Sequence, residues 1–313
     1  PVKLLSTFAD VTSVAGRLAV LIREESIDLI HANSTTAHIY GARASRMTGV
    51  PAVWHCRDLV ALGPLGRWLY RRATRVIAIS GAVQASLDRY AARTPKSACI
   101  HNGIDMDLYR QPAEGRAVRK ELNLRDEQTV IGMVAQLVPW KNHSLFLRAA
   151  RRIATEYPAT MFLLVGADLH GDHPGYRPVL ERLVSELGLG ERVIFMGFRR
   201  DMPRVMAALD MLVHPAAGEP FGRVVAEAMA AGKPVVVVDS AGPREIVEHG
   251  TSGLLTPPDD VDAMAQAMRR ILQDRALAAS LGQAGRRRIE DHFRVDRMTA
   301  QIEQLYREVL NTR

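Results

Sequence analysis

The sequence predicts an α/β protein built on parallel sheets, and three observations carry that expectation. Short apolar segments alternate with helical stretches along almost the whole chain. Several of the segments are unbroken β-branched runs, VVVV at 235–238 above all, as expected of strands covered on both faces. The helical stretches repeat their apolar residues with a 3.6-residue period, as Leu145, Phe146, Ala149, Ala150 and Ile153 do. Alternation of this kind gives a parallel sheet with helices on both sides.

In the first hundred residues the strand-like segments are DLIHAN at 28–33, AVWHCRD at 52–58, RVIAIS at 75–80 and SACIHN at 97–102. Ser80 stands where a helix N-cap is needed. Further on come VIGMVAQL at 130–137, MFLLVG at 161–166, RVIFMGF at 192–198, MLVHP at 211–215 and PVVVVD at 234–239. Ligands of such sheets bind beyond the carboxyl ends of the strands. The loops 136–142, 166–174, 197–201, 216–222 and 240–243 fall at that edge. The polar, turn-rich segment 101–112, ending in Pro112, reads as a link between two domains, 1–107 and 108–292. A last helix, from about Val295 to Asn311, fills the closing stretch 293–313. Residues 14–25, VAGRLAVLIREE, read as an amphipathic helix.

Composition narrows the classes of function. A hydrophobic content of 47% in 313 residues suffices for two cores. No apolar run approaches the roughly 18–20 residues of a membrane span, and the first residues lack the charged start and apolar core of a signal peptide. Cys56 and Cys99 form no CxxC pair and fit a reducing cytoplasm. The net charge of +7 suits anionic partners. Aromatic content of only 5% and dispersed basic residues argue against nucleic acid. The basic run RWLYRRATR at 67–75 reads as a solvated helix face, with peripheral contact to an anionic membrane surface as the alternative.

The most informative stretch is 216–257, AAGEPFGRVVAEAMAAGKPVVVVDSAGPREIVEHGTSGLLTP. EPFG reads as a tight loop opening a helix that Gly232 stops. A helix start presents unpaired N–H groups that favour an anion. Glu219 sits in the loop and Glu227 eight residues on, slightly more than two turns away. The pair suits a ligand with phosphate and hydroxyl groups, since a carboxylate accepts from two vicinal hydroxyls. A capped surface helix with two solvated acids is the other reading of the same spacing.

This stretch resembles the E-x7-E signature of the retaining glycosyltransferases of the GT4 type, the group 1 family with the GT-B fold. AGPREIVEHGTSGLLTPPDD at 241–260, GMVAQLVPWKNH at 132–143 and HNGIDMDLY at 101–109 resemble three further motifs of that family, in its order and spacing. The resemblance implies two Rossmann-like domains facing a cleft, the first short or truncated, because related proteins carry more strand and helix before a segment like DLIHANS. It implies sugar transfer from a nucleoside diphosphate sugar to a glycan, lipid or small-molecule acceptor, with retention of configuration, no cofactor and no metal. The donor phosphate is expected to assist deprotonation of the acceptor. By the same resemblance Lys141 neutralises the diphosphate, Glu219 contacts the donor sugar and Glu227 the ribose. Phe221, Gly222 and Arg223 present backbone N–H groups, and Gly197 and Phe198 border the base.

Departures from the family pattern sharpen the expectations. Gln136 stands where the family carries arginine; it can still donate hydrogen bonds to the donor but brings no charge, so either Lys141 with backbone N–H groups carries the leaving-group charge or Arg223, Arg199 or Arg200 supplies it. Arg57 stands at the family's histidine position near the reacting centre, with His55 two residues earlier on the same strand face; at least one of the two is expected to act there, a structural polar pair at the strand end being the other reading. Asp105 and Asp107, Asp260 and Asp262, and the cluster His170, Asp172 and His173 are not expected to bind metal. A second expectation follows from Gln136 and the short start: a weakly active nucleotide-sugar-binding module that self-associates or pairs with another chain.

Overall fold

A computed structural model describes residues 8–59, 61–91, 95–110 and 114–311. The chain forms two compact units, one from the residues up to 102 with those from 296 onward, the other from 103–295.

In the first unit β1 (Ile30–Ala32), β2 (Ala52–Cys56), β3 (Arg75–Ala78) and β4 (Ser97–Cys99) pair in parallel in chain order. Helices α1 (Phe8–Glu24), α2 (Thr35–Thr48), α3 (Gly63–Arg72) and α4 (Gly81–Asp88) surround the sheet with the terminal helix (Val295–Asn311). Side chains alternate across the sheet as the pleat requires. Ile30 and Ala32 lie under Gly41 of α2, and Trp54 stacks on His38 at 5.1 Å. Val53 and Ile77 point the other way, to Leu305 and Val309 of the terminal helix. The amphipathic segment expected from residue 14 reaches back to Phe8. Ala15, Ala19 and Ile22 of α1 are buried, while Val14, Val20 and Leu21 stay exposed. Ser80 caps α4 by accepting from Val83 N at 3.1 Å.

In the second unit the helices are α5 (Gly115–Glu121), α6 (His143–Glu156), α7 (Tyr176–Glu186), α8 (Met202–Ala208), α9 (Arg223–Ala230), α10 (Ala241–Ile246), α11 (Val261–Gln273) and α12 (Arg275–His292). The strands are β5 (Thr129–Val134), β6 (Thr160–Val165), β7 (Val193–Gly197), β8 (Met211–His214), β9 (Val235–Val238) and β10 (Leu254–Thr256), all parallel, in the order β10-β9-β8-β5-β6-β7. Counted from β5 this is the doubly wound order 3-2-1-4-5-6, which reverses between β5 and β8. Ile131, Met133, Phe162, Val213 and Val236 pack under α6 and α11 in one continuous core. β10, only three residues long, was not singled out as a strand in the sequence.

The expected link is ordered up to Arg110, and Pro112 lies outside the described residues. Ile104 pairs with the backbone of Phe293 and Val295 at 2.8 and 3.1 Å. A 3-10 turn at Met106–Tyr109 follows, capped by Asp105. Contacts divide the chain at 102/103 and 295/296, where the sequence placed 107/108 and 292/293.

Candidate active site

The reversal between β5 and β8 opens a crevice at the carboxyl edge of the sheet, because the connections leave in opposite directions there. The loops that follow these two strands carry Lys141 and Glu219. After β5 the chain passes Gln136, makes a 3-10 turn at Pro139–Lys141 and enters α6 through Asn142 in the left-handed region, φ 57°. Pro139 fixes the turn, and Trp140 places its ring 3.9 Å from Lys141 Nζ. Lys141 Nζ pairs directly with Glu219 Oε2, and the two side chains are 13% and 14% exposed. His214, the last residue of β8, is buried and puts Nε2 3.5 Å from the same carboxylate oxygen. Burial pushes the Glu219 carboxyl up, but His214 and Lys141 together outweigh it and hold it at about 2. His143, the first residue of α6, is buried beside them; burial, then Lys141 and His214, depress it to about 3.

The EPFG loop is shaped by close approaches. Gly222 has φ +97°, and a Cβ there would meet Pro243 Cγ at 3.0 Å, so glycine is required. Gly242 N donates to Glu219 O at 3.0 Å, and a Cβ on Gly242 would strike Phe221 Cα at 2.4 Å. Gly218 N donates to Ser240 Oγ at 3.1 Å. The loops after β8 and β9 therefore form one rigid ledge that fixes the Glu219 backbone. Phe221 is buried, and Arg223 opens α9 with its side chain exposed.

Glu227 is not a solvated acid. It is 6% exposed on α9 and accepts from Arg223 Nε at 2.8 Å, and its charge, after burial, raises the pKa of the Tyr109 phenol. Tyr109 lies in the segment the sequence offered as a link, and no sequence signal marked it as feeling the Glu227 charge.

Gly197 ends β7 with φ +67° and its carbonyl accepts from Gly166 N at 2.9 Å, while Phe198 is half exposed. Arg199 overturns one expectation. Its guanidinium is held by Glu121 and Asp201, and these contacts tie the loop after β7 to α5. An arginine neutralised by two carboxylates does not replace the charge absent at Gln136. Asp105 and Asp260 are helix caps, accepting from Asp107 N at 3.0 Å and Ala263 N at 2.8 Å.

In the first unit His55 and Arg57 separate. His55 continues the face of Val53, so it is buried beneath the terminal helix, 2% exposed, rather than displayed at the edge. Burial, then Arg57 and His31, depress it to about 3. Its Nδ1 lies 3.3 Å from His31 Nε2, and His31 Nδ1 lies 2.5 Å from the Tyr306 hydroxyl. Arg57, past the end of β2, sits at the carboxyl edge. The sequence reading missed His31, His214 and Tyr306. His31 and His214 stand in strand-end segments it did identify.

Comparison with known proteins follows the same division of the chain. Residues 115–288 match the family model described as glycosyl transferases group 1, and residues 2–108 that described as Glycosyltransferase Family 4. The 2-deoxystreptamine glucosyltransferase of Streptomyces kanamyceticus is 30% identical over 290 residues, covering 83% of this chain and 71% of the relative. The UDP-Gal:alpha-D-GlcNAc-diphosphoundecaprenol alpha-1,3-galactosyltransferase of Escherichia coli is 27% identical over 320 residues, covering 96% of this chain and 80% of the relative. Among solved structures, Anabaena Alr3699/HepE in complex with UDP-glucose superposes with a TM-score of 0.86 at 32% identity, over 94% of this chain and 82% of that one. Sucrose-phosphate synthase from Thermosynechococcus elongatus superposes with 0.87 at 27% identity, over 98% and 80%. Among the described residues no helix is long and apolar enough to cross a membrane.

Proposed function

This chain belongs to the group 1, family 4 glycosyltransferases with the GT-B fold, and on that premise we propose that it moves a hexosyl group from a UDP-sugar to an acceptor hydroxyl with retention of configuration. The observation that carries the reading is the buried cation–carboxylate pair of Lys141 and Glu219, backed by His214, at the point where the second sheet reverses. A diphosphate leaving group needs a fixed cation where its charge develops, and Lys141 supplies one. Glu219, held ionised, accepts hydroxyls of the donor sugar. As the donor enters, its phosphate competes with Glu219 for Lys141, so the pair exchanges one anion for another without exposing a charge. The first-turn N–H groups of α9 add to the cradle. The acceptor proton passes to the donor phosphate as the bond to the anomeric carbon changes hands. Related proteins whose names or structures specify UDP-galactose or UDP-glucose support the choice of base.

Incubation with UDP-glucose and UDP-galactose, with the anomeric configuration of the product assigned by NMR, tests the reading. An α-linked product is expected, and a β-linked one would overturn retention. Turnover is expected to survive EDTA, because Lys141 and the helix start meet the leaving-group charge. Loss on chelation with recovery on adding manganese would show that they do not.

Glu227→Gln removes the charge that the ribose hydroxyls are proposed to meet. Hydrogen bonds to charged groups contribute about 1.5–3 kcal/mol, so UDP affinity is expected to fall roughly 10- to 150-fold. Calorimetric titration with UDP, GDP and ADP reads both this loss and the base preference. Equal UDP affinity in the variant and the parent would remove Glu227 from the ribose site.

A further inference from the structure

Residues 59–87 carry four arginines, Arg67, Arg71, Arg72 and Arg75, and no aspartate or glutamate. Three of the four stand on α3, whose inner face is clamped. Leu69 and Tyr70 are buried, and Gly66 lies so close to the Tyr90 ring that a Cβ would meet Cζ at 2.6 Å. The Tyr70 hydroxyl donates to Asp88 Oδ1 at 3.0 Å and accepts from Lys96 N at 2.9 Å. With that face fixed, Arg67, Trp68, Arg71 and Arg72 are exposed. Residues three and four apart are neighbours on a helix, so the indole, 37% exposed, stands beside Arg71 and Arg72 as well as Arg67.

Among the described residues none of these three arginines has an ion-pair or hydrogen-bond partner for its side chain. Exposed arginines elsewhere do: Arg125 pairs with Glu127, Arg177 with Glu181 and Arg244 with Asp239. Asp88, the acid that reaches Tyr70, is turned inward and also accepts from the Ser97 hydroxyl. Lys96 adds a cation at the end of α3, donating from Nζ to Arg71 O at 3.1 Å. Helix α2, joined to α3 by His38 and the Leu69 carbonyl at 3.1 Å, has no acid either and exposes Arg46. Like charges set side by side without counter-ions repel, and an extended array of anions relieves that repulsion. The exposed apolar groups specify the array. Trp68, with Leu59 shortly before the helix, adds little to a grip on free phosphate but suits the headgroup layer of a bilayer, where indole rings settle. The inner face of α3 is already spent on the core, so the contact is with headgroups and the helix does not sink.

We propose that the outer face of α3 docks the first unit on an anionic lipid surface, with Arg67, Arg71 and Arg72 meeting the headgroups and Trp68 resting at their level. The inference is independent of the donor reading, which concerns the second unit.

The test is flotation of the full chain with vesicles of phosphatidylcholine alone and of phosphatidylcholine mixed with phosphatidylglycerol. Binding to the mixed vesicles only is expected, weakening as sodium chloride is raised. Each basic residue near an anionic surface contributes roughly five-fold in affinity, so replacing Arg67, Arg71 and Arg72 together by glutamine should cost on the order of a hundred-fold. Emission should move to shorter wavelength on the mixed vesicles, and Trp68→Phe should abolish the shift. Replacing Arg116 and Lys120, exposed on α5 of the second unit, by glutamine should leave binding near the parental level. Equal binding to both vesicles, a triple variant that binds like the parent, or an equal loss from the α5 variant overturns the proposal. So does a parent that ignores both vesicles and binds a single-stranded oligonucleotide through the same arginines. Urea midpoints check folding. Should the triple variant fail to fold, Arg71→Gln alone, expected to lose several-fold, and the Trp68 shift decide.

Discussion

Replacing Lys141 by methionine is expected to lower sugar transfer at least roughly 100-fold, the loss usual when one preorganised charge contact to a transition state is removed. The same change is expected to destabilise the second unit. Lys141 and Glu219 are both largely buried, and Glu219 is kept ionised by Lys141 and His214. Removing one partner of a buried pair leaves the other uncompensated, at a cost of up to about 3–5 kcal/mol. The double variant Lys141→Met, Glu219→Gln removes the stranded charge. It should recover most of the lost stability and none of the activity. Urea midpoints and initial rates on the parent, both single variants and the double variant form a complete cycle. If Lys141→Met keeps parental turnover, the leaving-group role is gone. If the double variant is as unstable as the single, the pair is not what stabilises the crevice.

That cycle turns on a contact that local sequence pattern does not contain. The parallel sheets were legible because VVVV at 235–238 and MFLLVG at 161–166 have the length and branching of strands buried on both faces. The Ser80 cap was legible because a hydroxyl between a strand and a helix has one obvious acceptor role. LLT at 254–256 is too short to carry any period, and its strand character comes from pairing with β9. Lys141 and Glu219 were each singled out, yet their mutual contact joins positions 78 residues apart. Arg199 looked like a spare cation until α5 brought Glu121 against it. Tyr306 reaches His31 across 275 residues. His55 was expected to face the reacting centre with Arg57, but the terminal helix covers that face of the strand, a fact of tertiary packing alone.

Lowering the pH from 7 to 5 is expected to destabilise the protein well before its carboxylates protonate, and the first unit more than the second. Among the described residues, three of the buried histidines are held far below the ordinary imidazole value. His38 is held at about 4, by burial first, against the opposing pull of the Leu69 carbonyl. His55 and His143 are held at about 3. In the unfolded chain each takes up a proton near 6.5. Between that value and the native one the unfolded state binds more protons, so stability is complete above about 6.5 and drains away as the pH falls. Each group contributes a slope approaching about 1.4 kcal/mol per pH unit. His38 and His55 lie in the first unit, with His31 also lowered by burial, and His143 lies in the second, so the first should soften more steeply. Glu219 works in the same direction only lower down, since its carboxyl, depressed to about 2, begins to cost stability below the ordinary carboxylate range. Urea titrations at pH 7, 6 and 5, followed by hydrogen exchange to separate the units, read these slopes. His55→Gln should remove about one group's share from the first unit. Identical midpoints at pH 7 and 5 would mean that these imidazoles already reach water or a carboxylate in the folded chain, and the buried wall beneath the terminal helix would have to be more open than His55 and Tyr306 make it.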